Sequence, residues 1–381
     1  MIQASDFIDR IGAHGYDFFA AGPCASFTPL VDTVIDAPGL DYLAVANEGD
    51  AVAAAAGHAL AGRRAVALMS DTGLGNAVSP LAALTWAFGL PMLLVVSWQG
   101  ADGDEPQPAL LGRITPDLLD RLEVAWERLP EDAGDLEAVL TRAEAHMAET
   151  GRPYALIAGG RTFTPAEAGQ AQAPSQSRGA ITFRPAPRRT PRVTRRDALR
   201  RLVERTDETT DVIITGSDHA GRDLHALADR PNHLYLPDAA ARPSMLGLGL
   251  ALARPDLTVI VIEGDGGALT YMGAMATLGA YGSSNLCQLL LDNGCYESAG
   301  GQATVSAGLS FAAIAAATGY RTTYEGHDIN LVDRVLEGSS RGPAFSHLHI
   351  VADSETGALP RPPLAPSDLR ARFMRHIGAP G

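Results

Sequence analysis

Cysteine is scarce in this 381-residue chain: Cys24, Cys287 and Cys295 stand far apart, with no CxxC spacing. That pattern points to a reducing compartment. Nothing near Cys24 in the sequence supplies a base, so it reads as small buried filler and not as a nucleophile. Charged residues are few as well, at 19%, and their balance is acidic, net −14, which argues against nucleic-acid binding. An anionic ligand must then be met by local cations or helix ends. No apolar run is long enough to span a bilayer: Leu90–Trp98 is interrupted by Pro91 and falls well short of the ~20 residues required. Met1–Arg10 carries Asp6 and Asp9 and no apolar core, unlike a signal peptide. A soluble, cytoplasmic protein is the expectation. There is no short tandem repeat, no HExxH, and no G-x-G-x-x-G after the first strand with an acid further on, which argues against a nicotinamide-binding enzyme.

What the chain does have is a 46% hydrophobic content over a length sufficient for two α/β domains with full cores. Strand-like runs recur at Ala65–Met69, Met92–Trp98, Tyr154–Ala158, Val212–Thr215, Leu257–Ile262, Leu286–Leu291 and Phe345–Val351. Helical patterns fall between them, as at Asp50–Ala61, Asp135–Glu149, Asp197–Arg205 and Met272–Tyr281. Such alternation predicts parallel sheets flanked by helices. From Thr164 to Arg196 the pattern gives way to Pro, Gln, Ser and Arg, with Pro165, Pro174, Pro185, Pro187 and Pro191. This stretch is expected to link a domain at 1–163 to one at 197–381, its arginines forming a solvated strap.

The run Leu257–Ile262 stops at Gly264-Asp265-Gly266-Gly267, and a helical pattern starts near Leu269. Glycines at a strand-to-helix turn let backbone approach a phosphate, and the helix N-terminus favours negative charge. Asp265 is placed to hold a hard divalent cation against that phosphate. The strand Leu286–Leu291 leads into Asp292-Asn293-Gly294, bringing Asn293 as a further oxygen ligand suited to Mg²⁺. Gly-Asp-Gly alone would equally suit an ordinary nucleotide-binding turn. The spacing adds weight, with 25 residues between Gly266 and Asp292.

Two further segments lie in the first half. Glu48, within Ala46-Asn47-Glu48-Gly49-Asp50, precedes an alanine-rich helix; taken alone it is an acid complementing a helix start. Asp71-Thr72-Gly73-Leu74-Gly75-Asn76 sits between a strand and a helix running to Phe88, either as a structural turn or as a platform of backbone N–H groups facing a cleft. His347 and His349, two residues apart on a strand, face one side; with no third ligand nearby in the sequence they read as structural.

Gly-Asp-Gly, about 25 residues, then an Asn-Asn-like pair resembles the thiamine-diphosphate (ThDP) motif. Beyond that motif, the chain resembles the family of phosphonopyruvate and sulfopyruvate decarboxylases. The resemblance is carried by Gly22-Pro23-Cys24, Asn47-Glu48-Gly49, Gly73-Leu74-Gly75-Asn76, Asp104-Glu105-Pro106-Gln107, Gly112-Arg113-Ile114-Thr115, Leu248-Gly249-Leu250-Ala251, Met272-Gly273-Ala274, Glu297-Ser298 and Gly300-Gly301-Gln302. It is collinear over nearly the whole chain. It implies two ThDP-binding-fold domains, pyrimidine-binding then diphosphate-binding, with no central third domain. It implies ThDP and Mg²⁺ as cofactors, the metal being held by Asp265, Asn293 and the backbone of Cys295. Glu48 would be the catalytic acid at the cofactor's pyrimidine, with Asp50 left as the helix-start acid. Thr72, Gly73, Gly216, Ala240, Gly264, Gly266 and Gly267 would contact the cofactor, and Ser26, Asn76, Gln99, Gln107, Arg113, Tyr296 and Glu297 would face the substrate. The implied reaction is decarboxylation of phosphonopyruvate to phosphonoacetaldehyde. The implied assembly is a homodimer or dimer of dimers, Glu48 of one copy serving Asp265 of another.

The chain departs from that family at Pro108 and Tyr296, where it has His, at Gln99, where it has Arg, and at Asp238-Ala239-Ala240-Ala241, where it has Gly-Ser-Met-Gly. Tyr296 is a candidate replacement proton donor, and Arg113, Arg222 and Arg242 are candidate anion partners. Sulfopyruvate, another short anionic 2-oxo acid, carboligation to an aldehyde, or a catalytically silent ThDP-binding partner subunit are the alternatives these departures leave open.

Overall fold

Continuous apolar runs make the strands, and alternation with helices makes every main-sheet pairing parallel. In the computed structural model of the chain, residues 1–99, 109–160, 162–164, 182–184, 191–216, 218–339, 342–351 and 359–380 are described. The chain divides into two compact units, Met1–Ala173 and Pro174–Gly381.

The strands of the first unit are β1 (Tyr16–Ala21), β2 (Asp41–Ala44), β3 (Arg64–Ser70), β4 (Leu93–Trp98), β5 (Ala125–Arg128) and β6 (Tyr154–Gly159). They form one parallel sheet in the order β2-β1-β3-β4-β6-β5. Alternate residues Val66, Leu68, Leu93, Val95, Leu156 and Ala158 share a core with Phe7, Ile11, Leu30, Leu140 and Met147 from flanking helices. The helix Glu48–Leu60 is buried along its whole length. Its alanine and glycine side chains are small enough for the helix to lie close on the sheet.

In the second unit the strands are β7 (Thr182–Arg184), β8 (Asp211–Thr215), β9 (His233–Tyr235), β10 (Thr258–Gly264), β11 (Leu286–Asp292), β12 (Cys295–Tyr296), β13 (Gln302–Ala303), β14 (Thr322–Gly326) and β15 (Ala344–His349). Seven of them make a second parallel sheet, β7-β14-β15-β11-β10-β8-β9, and β12 and β13 form a small antiparallel pair. Its centre, β10 and β11, is buried and mostly apolar, with Glu263 and Gln288 as a buried polar pair joined by a 2.6 Å hydrogen bond, until the strands end at Gly264 and Asp292.

Three expectations are corrected. The expected linker is not wholly a strap: Thr182–Arg184 is the edge strand β7 of the second sheet, and Arg195 is buried as the first residue of the helix Arg195–Arg205. The segment Asp71–Asn76 is not a turn before a helix but its first turns, because the Ser70 hydroxyl accepts the Gly73 N–H and caps it. Likewise the helix after β10 starts at Asp265, directly after Gly264, and not near Leu269.

Candidate active site

In the first unit, Asn47 caps the helix that begins with Glu48, its Oδ1 accepting the N–H groups of Gly49 and Asp50. The Glu48 side chain is buried and runs over two glycines. A Cβ on Gly73 would lie 2.1 Å from the Glu48 carboxyl, and one on Gly22 would lie 2.8 Å from its Cγ. Asn76 Nδ2 donates to Glu48 Oε2 at 2.8 Å. Glu48, Gly73 and Asn76 therefore meet. Thr72 Oγ1 is 2.8 Å from Ser70 Oγ.

Ser26 and Gln99 meet separately, Gln99 Nε2 donating to Ser26 Oγ at 2.9 Å. Asp71 joins this pair to the helix start, since its carboxylate accepts from the Gln99 N–H at 2.9 Å and the Thr72 N–H at 2.8 Å. Burial pushes the Asp71 carboxyl above its ordinary range. Cys24 is half-buried, its thiol donating to Ser97 Oγ at 3.3 Å, and burial pushes the thiol up, away from thiolate chemistry. Arg113 is exposed on the helix Ala109–Arg121. Gln107 lies outside the described residues.

In the second unit a cavity of about 630 Å³ opens at the ends of β10 and β11. Gly216, Gly264, Asp265, Gly266, Gly267, Asn293, Cys295, Tyr296 and Glu297 all line it. Ala240 does not appear in its lining: its N–H is given to Asp238 Oδ1 at 2.7 Å, and Ala239 faces the cavity instead. Asp265 is buried, and Thr304 Oγ1 donates to its Oδ2. Burial raises its pKa, the Thr304 bond opposes that, and the neighbouring Asp292 charge adds a smaller rise. Asn293 Oδ1 accepts the Cys295 N–H at 3.1 Å across Gly294, whose φ of +72° makes the tight loop possible. The glycines leave room at contact distance. A Cβ on Gly266 would fall 2.7 Å from the Tyr296 ring, and one on Gly267 would fall 3.0 Å from Ala239 Cβ.

Homology agrees with this geometry. Residues 2–117 match the N-terminal, and residues 240–345 the C-terminal, TPP binding domain of thiamine pyrophosphate enzymes. Phosphonopyruvate decarboxylase of Streptomyces viridochromogenes is 34% identical over 100% of this chain and 96% of its own. The chain belongs to this family of ThDP-dependent decarboxylases. Sulfopyruvate decarboxylase of Methanosarcina acetivorans is 27% identical, over 95% of this chain and 94% of that one. Among solved structures, the ThDP-dependent 4-hydroxybenzoylformate decarboxylase of Rhodococcus jostii superposes with a TM-score of 0.74 at 12% identity, covering 93% of this chain and 100% of that one, and so shares the fold.

For a ThDP enzyme the cation set of the cavity matters, and sequence reading missed most of it. Arg195, His219, Arg222 and Arg361 line it together. No lysine occurs anywhere in the chain, so every side-chain cation is arginine or histidine. Arg195, expected in the solvated strap, is buried and bonds both Glu297 Oε2 and Asp223 Oδ2. Arg222 Nη1 donates to the Leu359 carbonyl at 2.8 Å. Arg242 is buried just before the helix Pro243–Ala253, stacked on the Tyr271 ring at 4.3 Å.

His347 and His349 do have a carboxylate beside them. Asp292 groups with both, its oxygen and their ring nitrogens within 4.8 Å of one another. The expectation of no third ligand is thereby corrected.

Proposed function

We propose that this chain removes CO2 from a short anionic 2-oxo acid, 3-phosphonopyruvate, to give phosphonoacetaldehyde, with ThDP bound through Mg²⁺. The observation that carries the reading is full-length 34% identity to a phosphonopyruvate decarboxylase together with the Asp265 cavity. The donor set suits the cofactor. One buried carboxylate, one amide oxygen and one backbone carbonyl, from Asp265, Asn293 and Cys295, are the oxygen ligands Mg²⁺ takes beside phosphate. The backbone at Gly264, with nothing within 4 Å of where a Cβ would stand, is open to a phosphate, and Arg195, His219, Arg222 and Arg361 line the same cavity.

When bound, ThDP supplies the electron sink for the pair left by CO2. The chain's part is positioning and proton handling. Asn76 holds Glu48 Oε2, so Oε1 is the atom that would carry the proton presented to the cofactor's pyrimidine. Thr304 holds Asp265 Oδ2, and Oδ1 is the oxygen that would be offered to a bound metal. Ser26, Asn76, Gln99 and Arg113 from the first unit and Tyr296 from the second are the proposed substrate contacts, with Tyr296, 40% exposed, as proton donor. In net terms the carboxyl–carbonyl carbon bond breaks, CO2 leaves, and the carbonyl carbon gains a proton to become the aldehyde. We place the site between two copies of the chain, each giving one half, in at least a homodimer. The free thiols at Cys24, Cys287 and Cys295 support a cytoplasmic setting.

Gln99 and Tyr296, which replace the arginine and histidine expected of the family, favour a second reading, in which the same machinery acts on sulfopyruvate or another short 2-oxo acid. CO2 release with ThDP and Mg²⁺ on phosphonopyruvate, sulfopyruvate and pyruvate decides between them. Release from phosphonopyruvate alone supports the first reading. Preference for another acid supports the second, and silence on all three with ThDP bound would point to a non-catalytic partner subunit.

A further inference from the structure

Three neighbouring strands of the second sheet bring two imidazoles and two carboxylates together. His347 and His349 project from one face of β15. Glu325 on β14 is in register with His347, and Asp292, the last residue of β11, is in register with His349. Asp292 Oδ2 lies 2.8 Å from His347 Nε2 and 3.7 Å from His349 Nδ1. Glu325 Oε1 takes the opposite nitrogens, 3.2 Å from His349 Nε2 and 3.9 Å from His347 Nδ1. One carboxylate thus faces one nitrogen of each ring, and the other carboxylate faces the remaining nitrogen of each.

We propose that Asp292, His347 and His349 form a second divalent-metal site, for a borderline cation of the Zn²⁺ type, with Glu325 as the outer carboxylate of both histidines. Imidazole nitrogens with one carboxylate oxygen select such a cation over Mg²⁺ or Ca²⁺. The candidate ligand atoms already lie within 4.8 Å of one another. A tetrahedral zinc site with bonds near 2.0–2.1 Å sets its ligand atoms about 3.3 Å apart, so closure asks mainly for a small rotation of His349. That ring is the more exposed of the two, and His327 stacks on it at 4.8 Å between centroids.

Two independent observations point to a ligand. Asp292 and Glu325 are two carboxylates with little or no exposure, and among the described residues neither is paired with an arginine; their partners are hydroxyls, one backbone N–H and these histidines. A dication bound by neutral imidazoles would neutralise both. In addition, His347 Nδ1 is buried with no hydrogen-bond partner and faces Glu325. Metal on Nε2 would put the ring proton on Nδ1, where that carboxylate accepts it, the outer-shell arrangement usual for metal-bound histidine. Asp292 is also preset: Gly294 N–H and Ser306 Oγ both bond its Oδ1 at 2.9 Å, leaving Oδ2 to the rings. The site would tie β11, and the 293–295 loop that follows it, to β14 and β15.

The test is metal uptake by the full chain loaded with ThDP and saturated with Mg²⁺. One additional Zn²⁺ per chain should survive desalting. Co²⁺ in its place should give the visible absorption of a tetrahedral nitrogen–oxygen site. His349→Ala should abolish the uptake, Glu325→Gln should weaken it about 10–100-fold, and Asp265→Asn, compared with the unaltered chain without ThDP, should leave it intact. Uptake that persists in His349→Ala, or that vanishes only in Asp265→Asn, overturns the assignment. So does absence of any extra metal in the unaltered chain, which would leave the four groups as a hydrogen-bond cluster. His349 is partly exposed, at 23% of its side chain, so its variant leaves the buried packing around His347 in place.

Discussion

Asn76 donates its side-chain amide to Glu48 Oε2 at 2.8 Å from the second turn of a helix that Ser70 caps. One carboxylate oxygen is thereby fixed, and the other is left beside the bare Cα of Gly73. Glutamine at position 48 keeps both the volume and the bond from Asn76 but cannot hold a carboxylic proton. Glu48→Gln should therefore retain ThDP binding by calorimetry while turnover falls by about 10²–10⁴-fold. Unchanged turnover would remove Glu48 from the chemistry.

Gly73→Ala probes the same contact from the other side. Its methyl would fall 2.1 Å from the Glu48 carboxyl, so Glu48 must swing away. Alanine is the better helix former by about 1 kcal/mol, which offsets part of the strain. Turnover should fall steeply with little change in melting temperature. Full activity in this variant would show that the observed Glu48 position is not the working one.

Asp265→Asn removes a buried charge while leaving an oxygen for Thr304 to donate to, so the fold should survive. Mg²⁺-dependent ThDP binding should be lost, as read by titration calorimetry with and without Mg²⁺. Retained Mg²⁺-dependent affinity would contradict the metal role of Asp265.

Burial, with the Arg230 charge adding to it, lowers the His233 pKa from 6.5 to about 4. The unfolded chain then binds a proton that the folded chain refuses between those values. The stability contribution is complete above pH 6.5 and is lost as pH falls toward 4. Between about pH 7.5 and about pH 5 this one group should cost about 2 kcal/mol of unfolding free energy. Guanidinium unfolding at the two pH values measures it, and His233→Gln should flatten that component. An unchanged pH slope in the variant would rule it out.

Much of the fold was legible because parallel strands buried on both faces are continuous apolar runs. Such runs at Ala65–Met69, Leu257–Ile262 and Leu286–Leu291 became β3, β10 and β11. Strands β5 and β9 were not legible, being short and mixed in polarity, so that only their neighbours make them strands. The helix over Asp71–Asn76 was missed because Thr-Gly-Leu-Gly-Asn is poor in helix formers; its Ser70 cap overrides that propensity. Asp265 and Asn293 stood out as candidates because each follows an apolar strand run beside glycine, whereas Glu48, at a helix start, was singled out only by the family resemblance. Arg195, His219 and Arg361 could not be picked out, since they come from distant segments that only the fold brings to one cavity. The same holds for Asp292 and Glu325 beside His347, a proximity set by strand register.

The small strand β7 has a genetic corollary. It pairs with β14 and completes the edge of the second sheet, and it belongs to the unit that starts at Pro174. A gene split after Ala173 would give two products that each keep every strand of their own sheet. A split near Arg196 would leave β7 on the wrong polypeptide and bare the backbone of β14 to strand pairing with strangers. Fission or fusion of this architecture into one or two reading frames is thus constrained to a short window ahead of Thr182.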